Sequence, residues 1–445
     1  MGGGILQLSA YGSQDTHLTG NPQITYFKSV YYRYTNFSME SVENTFDTDP
    51  GFGRKVTATI SRTGDLIHKM YIVVDIPALT DPGGNDHLGW TNKLGHALIK
   101  NVDVTIGGEV VDRHNSEWLE IWSSLSTSES KREAFKKLIG EYDGGIIGTQ
   151  DNNTNRVGKP GYQANSRVGE TISGESKQKL YIPLQFWFCR SIGSSIPLIS
   201  LPHQDVKINI DFRNLDELVK SSLASPTITD SATSATPTFT ASLFVDYIYL
   251  DTKERQIFTE KSHEYVIEQV QYDGEESLVL NGNTKFSTNL SFTQPVKELF
   301  WVITNEDRIA KTYNGQGNSL LDFSTDQTTT RKTTDEFDSA VIKINGVDRF
   351  APRDALYFRA VQPMQYHTSA PLEKYIYCYS FCLKPEELQP SGSCNFSMLD
   401  TATLQLNYTA SDSTRSDNAS RLKVFALNYN ILRVTSGMCG LAYSN

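Results

Sequence analysis

The chain has 445 residues, of which 38% are hydrophobic, 11% aromatic and 21% charged. Its net charge of -10 argues against a general nucleic-acid binder, which needs a basic surface to neutralise phosphates. No apolar run in the sequence approaches the ~18 residues that span a bilayer. The composition is therefore typical of a folded, strand-rich protein with roughly two or three domains.

Residues 1–25 form the first predicted element. They show little periodicity and hold too few apolar residues for a core, so we expect an extended or partly helical arm. Strand patterns follow, recognised by β-branched and aromatic residues or by alternation of apolar and polar positions. These strands cover residues 56–60, 70–76, 104–106, 181–188, 206–212 and 245–250, and then 342–344, 375–382, 402–408 and 427–432. Within 181–188, we expect Phe186 and Phe188 to share a buried face.

Residues 116–142 interrupt the strand pattern. Trp118, Ile121, Trp122 and Leu125 repeat at helical spacing, and a second apolar series follows them. This spacing predicts one or two amphipathic helices. The second half of the chain has a far shorter connection at the corresponding place, so the helices are an insertion in the first half.

The same ordered pattern occurs twice in the chain. A strand ending in Gly107-Gly108 or in Asn345-Gly346 is followed by Asp-Arg, then by an aromatic strand and a closing strand. Solenoid repeats run about 20–50 residues, so a period this long indicates two similar domains in tandem. Short strands with turn residues between them favour a β-sandwich or jelly roll for each domain.

Polar stretches and one charged segment divide the pattern. Residues 144–179, 214–237 and 305–337 predict surface loops, and the charged segment 251–256 joins the two halves. The predicted organisation is an arm (1–25), a first domain (26–251), a linker (252–263) and a second domain (264–445).

The sequence offers few groups with catalytic or metal-binding patterns. None of the eight His residues is spaced like a zinc pair, and no Cys-x-x-Cys motif occurs. Ser128-Glu129-Ser130-Lys131 and Ser416-Asp417-Asn418 match two motifs of penicillin-binding enzymes, but the third, Lys-Thr-Gly, is missing. Cys378 and Cys382 are too far apart along one strand to bridge, which favours buried free thiols. We predict no catalytic, cofactor-binding or metal-ligating residue.

Seven segments of the chain carry a resemblance to a known family: residues 10–15, 18–25, 31–37, 61–66, 245–255, 389–397 and 428–438. They resemble the double jelly-roll major capsid proteins of nucleocytoplasmic large DNA viruses and are most similar to those that infect algae. The resemblance runs from end to end and weakens in the three polar loops.

The resemblance implies an all-β fold of two tandem eight-stranded antiparallel jelly rolls, with the helical insertion in the first. It also implies a homotrimeric capsomer of pseudo-hexagonal outline in an icosahedral virion shell over an internal membrane. The partners would be other copies of the chain, minor capsid proteins and penton proteins, without nucleic acid, and assembly would take place in the host cytoplasm. Two alternatives stay open: a glycan-releasing amidase with carboxylates in the cleft between the rolls, and a lectin-like adhesin with exposed Trp or Tyr.

Six Asn residues match the Asn-x-Ser/Thr pattern of glycosylation. Asn152 and Asn418 are the better candidates because they lie in polar segments, and members of the resembled family can be glycosylated. Asn36 also matches. Asn289, Asn395 and Asn407 fall on or beside predicted strands, where a glycan fits poorly.

Overall fold

The computed structural model describes residues 3–80, 88–141, 178–221, 225–278, 283–309, 318–323, 335–408 and 420–443. The chain divides into two compact units, Met1–Phe37 and Ser38–Asn445. The first unit contains helices α1 (Gly3–Ser9) and α2 (Thr16–Thr19), and none of the described residues from 3 to 36 is buried. It therefore has the partly helical, coreless character that the sequence predicts.

The second unit begins with the elements of the first roll. Its strands are β1 (Phe37–Asn44), β2 (Lys55–Thr59), β3 (Leu66–Ile76), β4 (Leu88–Trp90), β5 (Ile99–Ile106), β6 (Glu109–Asn115), β7 (Gln178–Pro183), β8 (Ile196–Pro197), β9 (Val206–Phe212), β10 (Val219–Ser221) and β11 (Thr240–Leu250). Its helices are α3 (Leu94–Leu98), α4 (Ser116–Ser126), α5 (Glu129–Ile139) and α6 (Trp187–Arg190). Helix α7 (Thr252–Glu260) follows the last strand.

The second roll follows α7 in the same unit. Its strands are β12 (His263–Leu278), β13 (Lys285–Asn289), β14 (Pro295–Asn305), β15 (Ser339–Ile344), β16 (Val347–Asp348), β17 (Arg353–Asp354), β18 (Tyr377–Ser380), β19 (Cys394–Asn395), β20 (Ala402–Asn407), β21 (Ser420–Thr435) and β22 (Met438–Leu441). Its α-helices are α8 (Glu306–Ile309) and α9 (Gln362–Tyr366), and a π-helical turn (Tyr357–Val361) precedes α9.

The strand order is the same in both rolls. In the first, the order is β1-β11-β3-β7 in one sheet and β2-β9-β5-β6 in the facing sheet. In the second, it is β12-β21-β14-β18 and β13-β20-β15-β16, which are the corresponding strands in the corresponding positions. Neighbouring strands pair antiparallel, as β11 does with β3, β12 with β21 and β5 with β9. The predicted fold class, two tandem jelly rolls with a helical insertion in the first, is confirmed.

The repeated sequence pattern forms a repeated hairpin. Gly107 and Gly108 connect β5 to β6 with φ values of 61° and 92°, and Asn345 and Gly346 connect β15 to β16 with 51° and 79°. A two-residue hairpin whose twist matches its strands needs positive φ at both turn positions. Gly and Asn adopt that conformation at low cost, which explains why both copies use them.

The two predicted aromatic strands differ from the structure. The aromatic strand 181–188 ends at Pro183, and Phe188 lies in helix α6. Phe186 and Phe188 are nonetheless fully buried and stack with ring centroids 5.7 Å apart. In the second copy the strand is shorter still, because only Tyr377–Ser380 pairs with β14.

The polar segments are not all surface loops. Within 214–237, Val219–Ser221 forms the buried strand β10, paired with β4. Within 305–337, the described residues Leu320, Leu321 and Phe323 are buried. Of the segment 144–179, only residues from 178 are described, and these belong to β7. All five cysteines are free, as predicted for Cys378 and Cys382.

Candidate functional site at the junction of the two rolls

The sheet β12-β21-β14-β18 of the second roll is buried on both faces. On β14, Leu299, Trp301 and Ile303 belong to the second roll's own core, whereas Phe300 and Val302 belong to the core cluster that continues into the first roll. Strand β21 alternates in the same way. Strands covered on both sides read as near-continuous apolar runs. The two rolls therefore share a core across this sheet, which we call the junction.

Helix α4, part of the insertion, supplies the first roll's side of the junction. It begins at Ser116 because the Asn115 side chain accepts a hydrogen bond from the Trp118 backbone N–H at 2.8 Å. The Trp118 ring meets Phe300 edge-on at 5.3 Å and lies 6.0 Å from Phe425. All of α4 except its last residue is buried. The insertion thus fills the space between the two rolls.

Buried ion pairs cross the junction. Glu117 of α4 lies 2.7 Å from the Lys423 Nζ of β21 and 3.8 Å from Arg213. Burial acts to raise the pKa of Glu117, but Lys423 and Arg213 outweigh burial and lower the pKa to about 2. Lys423 also contacts Glu275 at 2.8 Å. Glu117 is therefore ionised at neutral pH and is held by cations of both rolls.

One helical turn further along α4, Glu120 is fully buried among three basic side chains. Its carboxylate lies 2.8 Å from the Nζ of Lys93 in the first roll, 2.8 Å from the Nζ of Lys374 in the second, and 2.9 Å from His96. Burial acts to raise the pKa of Glu120, but Lys374 and Lys93 hold it well below its usual value. A buried carboxylate persists in the charged state only with such partners.

Hydrogen bonds between side chains of one roll and backbone groups of the other also link the two rolls. Asp112 of β6 accepts a hydrogen bond from the Val270 N–H of β12 at 3.0 Å, and Gln269 donates to the Val111 carbonyl. Asp112 belongs to the repeated Asp-Arg pair, so one copy of the motif is used for the contact between rolls. Its counterpart Asp348 is exposed.

A short segment of the second roll, residues 318–323, packs on the first. Thr91 donates to the Asn318 carbonyl at 2.8 Å, and the fully buried Asn318 amide donates to the carbonyls of Asp216 and Val219. Lys93 donates to the Leu321 carbonyl at 3.1 Å. The polar composition around this segment concealed the contact in the sequence.

A cavity of about 480 Å³ lies beside the junction, lined in part by Arg190, Glu268 and Glu386. Its three carboxylates are engaged: Glu268 pairs with Arg190 at 2.9 Å and with Lys297, Glu386 contacts His367 at 3.1 Å, and Glu387 pairs with Lys384 at 2.8 Å. General acid–base catalysis needs a carboxyl group free to exchange a proton with a substrate. The arrangement stabilises the junction and does not have the free carboxylates expected of an amidase.

Close to this cavity, His367 lies between two carboxylates. Its Nε2 is 2.9 Å from Glu298 and its Nδ1 is 3.1 Å from Glu386. Burial acts to lower the pKa of His367, but Glu298 outweighs burial and raises it well above its ordinary value. Cys378 lies next to this pair, and burial raises the pKa of its thiol to about 12. The sequence did not reveal this cluster because its members lie on separate elements.

The predicted glycosylation residues differ in their surroundings. Asn152 and Asn418 lie outside the described residues. Asn36, Asn289 and Asn395 are exposed. Asn289 and Asn395 lie in strands, as predicted, and Asn407 is half-buried, with its amide donating to Ser339 at 3.0 Å.

The aromatic side chains bear on the lectin alternative. All five tryptophans, Trp90, Trp118, Trp122, Trp187 and Trp301, are buried. They fill the cores and the junction and do not form an exposed platform for a sugar. Among the helices that the structure describes, none combines the length and apolar character needed to cross a membrane.

The fold and the junction define a double jelly-roll protein. The family "Major capsid protein N-terminus" matches residues 25–251, and "Large eukaryotic DNA virus major capsid protein" matches residues 254–440. Together these cover almost the whole chain. The chain belongs to the family of large eukaryotic DNA virus major capsid proteins.

Individual relatives align with this chain over their full lengths. The chain is 41% identical to the major capsid protein of Pyramimonas orientalis virus and 36% identical to that of Paramecium bursaria Chlorella virus 1, with 100% of each chain covered in both alignments. Among solved structures it is similar to PBCV-1 VP54, fitted into a cryo-EM reconstruction of the virophage Sputnik. That match has a TM-score of 0.72 and 32% identity, and covers 95% of this chain and 100% of the other. The chain is therefore a structural component of the virion capsid and not an enzyme.

Proposed function

We propose that the chain forms homotrimeric capsomers of pseudo-hexagonal outline that build an icosahedral shell. The observation that carries this proposal is the sheet buried on both faces at the junction, because it fixes two similar wedges in one orientation. Three chains then present six similar wedges around one axis. Such a unit tiles a flat facet with a single gene product.

An aromatic patch on the outer face of the first roll is a candidate contact between subunits. Tyr71 stacks on Phe244 with centroids 5.3 Å apart and lies 6.2 Å from Tyr181. The three side chains are partly or well exposed, on the face of the sheet opposite the core. Aromatic residues are enriched in protein interfaces, which supports a role for this patch in the trimer.

The oligomeric state tests the proposal. Purified chain should run at about three times its 49.8 kDa mass in light scattering, and the trimer should resist dilution because obligate interfaces bury ~2,000 Å² or more. Phe244→Asp should weaken the trimer, whereas Tyr443→Asp, a change at another exposed aromatic residue, is the matched control. A wild-type monomer at micromolar concentration would overturn the proposal.

The N-terminal arm has a separate proposed role. Its apolar residues Leu8, Leu18 and Ile24 are each at least 69% exposed, so they are available to a partner. The arm contacts the inner side of the shell, where neighbouring capsomers, minor capsid proteins and penton proteins meet above the viral membrane. Deletion of residues 1–25 should leave the rolls folded and prevent normal particle assembly in the host cytoplasm. Normal particles from the truncated chain would contradict this role.

In this proposal the polar segments 144–179 and 305–337 carry the outer face, apart from those of their residues that lie in strands or are buried, such as Leu320, Leu321 and Phe323. Lengthening a loop on a surface without neighbours raises the entropic cost of loop closure only slightly, so long polar insertions are tolerated there. Any glycan belongs there, with Asn152 the first residue to examine. Brief proteolysis of intact particles, read by mass spectrometry, should cut these segments before the arm. If the arm is cut first, the arm lies on the outer face and the proposed orientation of the chain in the shell is wrong.

The division into an arm (1–25), a first roll (26–251), a linker (252–263) and a second roll (264–445) is part of the same proposal. Helix α7 occupies most of the linker and is largely exposed. Proteolysis within 252–263 should therefore nick the chain without separating the rolls, because the junction holds them together. Dissociation after the nick would contradict that arrangement.

A further inference from the structure

Three side chains with metal-binding donor atoms meet on the junction face of the second roll. Glu298 lies in β14, Cys378 lies in β18, and His367 directly follows α9. One donor atom of each residue lies within 4.8 Å of the donors of the other two. Ligand atoms around tetrahedral zinc lie roughly 3.3–3.8 Å apart, given bond lengths of about 2.0–2.3 Å. The three donors therefore reach coordination distance with small side-chain adjustments.

Glu298 has an unused donor atom at this place. The residue is fully buried, and its Oε2 has no hydrogen-bond partner among the described residues. A buried carboxylate oxygen without a partner is costly, and such an atom calls for an unseen group. The His367 contact uses only Oε1. A cation bound between Glu298, His367 and Cys378 would satisfy the second oxygen.

The surroundings of His367 match those of a metal-ligating histidine. Its Nδ1 is 3.1 Å from the Glu386 carboxylate, which in turn accepts a hydrogen bond from the Thr368 N–H at 2.9 Å. A ligating histidine almost always donates its other ring N–H to a carboxylate, carbonyl or water, which fixes the tautomer. Glu386 holds Nδ1 in the donor role, and Nε2 then faces Glu298 and Cys378.

An apolar wall and an access path complete the geometry. The Trp122 and Phe300 rings lie 6.4 Å and 6.0 Å from the His367 ring. Glu386 lines the cavity beside the junction and is partly exposed, whereas the His367 side chain is not. A small ion can therefore reach the cluster past Glu386, while the aromatic rings shield it from bulk water.

We propose that Glu298, His367 and Cys378 bind one divalent transition-metal ion, for which zinc is the best fit. A mixed carboxylate, imidazole and thiolate set suits zinc, and three protein ligands leave the fourth position to a water molecule. Binding releases the thiol proton of Cys378 and the Nε2 proton of His367 to solvent. The ion links β14, β18 and the segment after α9 directly beneath helix α4, and so reinforces the junction.

Cobalt substitution tests the site directly. The full-length protein is stripped with a chelator and titrated with Co²⁺, and thiolate-to-cobalt charge transfer is followed in the near ultraviolet. Wild type should develop this band at one equivalent per chain, and Zn²⁺ should abolish it. The absence of a band in folded wild-type protein overturns the proposal, and this measurement requires no variant.

A pair of cysteine variants assigns the sulfur. Cys378→Ser should lose the band, whereas Cys382→Ser, a change at another buried cysteine close in the chain, should keep it. Glu386→Gln should keep the band and weaken binding by roughly 10–100-fold, as expected of a residue that positions a ligand. A band that persists in Cys378→Ser, or disappears in Cys382→Ser with the fold intact by circular dichroism, overturns the assignment.

Discussion

The two hairpins built from the repeated pattern have the same turn and different surroundings. Strands β5 and β6 turn at Gly107-Gly108, and β15 and β16 turn at Asn345-Gly346, with positive φ at all four residues. Beyond the first turn, Asp112 is buried and bonds to the second roll. Beyond the second, Asp348 is exposed and lies 3.5 Å from Lys343. Local sequence determines the conformation of the turn. Whether the aspartate after the turn is buried or exposed depends on whether a strand of the other roll packs against it.

The same asymmetry extends to the whole junction. The first roll contributes an inserted helix, and the second contributes the face of a sheet. Equivalent positions in the two copies therefore experience unequal environments despite one strand order. Paired substitutions, one inside the junction and one outside it, should separate the effect of the junction from the effect of the strand framework that both rolls share.

The largest difference is expected between two strand lysines. Lys423→Met removes the closest cation from the buried Glu117, and breaking a buried pair costs about 3–5 kcal/mol. Lys343→Met removes a partly exposed partner of the exposed Asp348 and should change the free energy of unfolding by less than about 0.5 kcal/mol. Urea denaturation of both variants measures the difference. Equal midpoints would show that the buried network contributes nothing.

Acid should weaken the junction through Glu117. Its folded pKa of about 2 lies below its ordinary value of 4.5, so its contribution is complete above pH 4.5 and is lost as the pH falls toward 2. Linkage sets the contribution at about 3 kcal/mol. The free energy of unfolding, measured from pH 6 to pH 2, should fall less steeply in Glu117→Gln than in wild type. If the free energy of unfolding falls equally steeply with pH in both proteins, Glu117 is not the cause of the acid sensitivity.

A smaller difference is expected at the repeated aspartates. Asp112→Ala removes the acceptor of the partly buried Val270 N–H and the carboxylate 2.9 Å from the buried His114, and a shielded donor left unsatisfied costs roughly 1–3 kcal/mol. Asp348→Ala, at the matching exposed position, should remain within about 0.5 kcal/mol of wild type. Thermal unfolding of the two variants, scanned at one rate, compares them. A larger loss for Asp348→Ala would reverse the interpretation of the hairpins.

The smallest effects should be equal in the two copies. Gly108→Ala and Gly346→Ala place a side chain at φ values of 92° and 79°, and neither new Cβ would meet an atom within 4 Å. Only backbone strain remains, at roughly 1–2 kcal/mol. Differential scanning calorimetry should give similar losses for both. A much larger loss at Gly108 would mean that the junction also constrains the turn.

Sequence periodicity predicted the elements that have one buried face. Strand β9 runs from Val206 to Phe212 with the alternation that the sequence shows, and β20 repeats it in the second copy. The inserted helices were also predicted, because the spacing of Trp118, Ile121, Trp122 and Leu125 is a local property. An element with one buried face has apolar residues at regular spacing. That spacing can be detected in the sequence without knowing what covers the face.

The junction could not be predicted in the same way. Glu117 and Lys423 are 306 positions apart, and no local pattern links them. Strand β14 is buried on both faces, so its apolar run carries no information about which residues face the other roll. Residues 318–323 lie within a polar stretch of sequence, and nothing local shows that the Asn318 amide donates to carbonyls of the first roll. Contacts between residues that are far apart in the chain depend on the topology of the fold, and they leave no pattern in the local sequence.

The distance along the chain between helix α4 and strand β21 has a consequence for biosynthesis. Translation at about 5–20 residues per second separates Glu117 from Lys423 by roughly 15–60 s. During that interval the nascent first roll exposes Trp118 and neighbouring apolar side chains of α4, because the sheet that covers them has not been made. The first half of the chain must therefore be protected from premature association on crowded polysomes, and its surface is complete only when the last long strand leaves the ribosome.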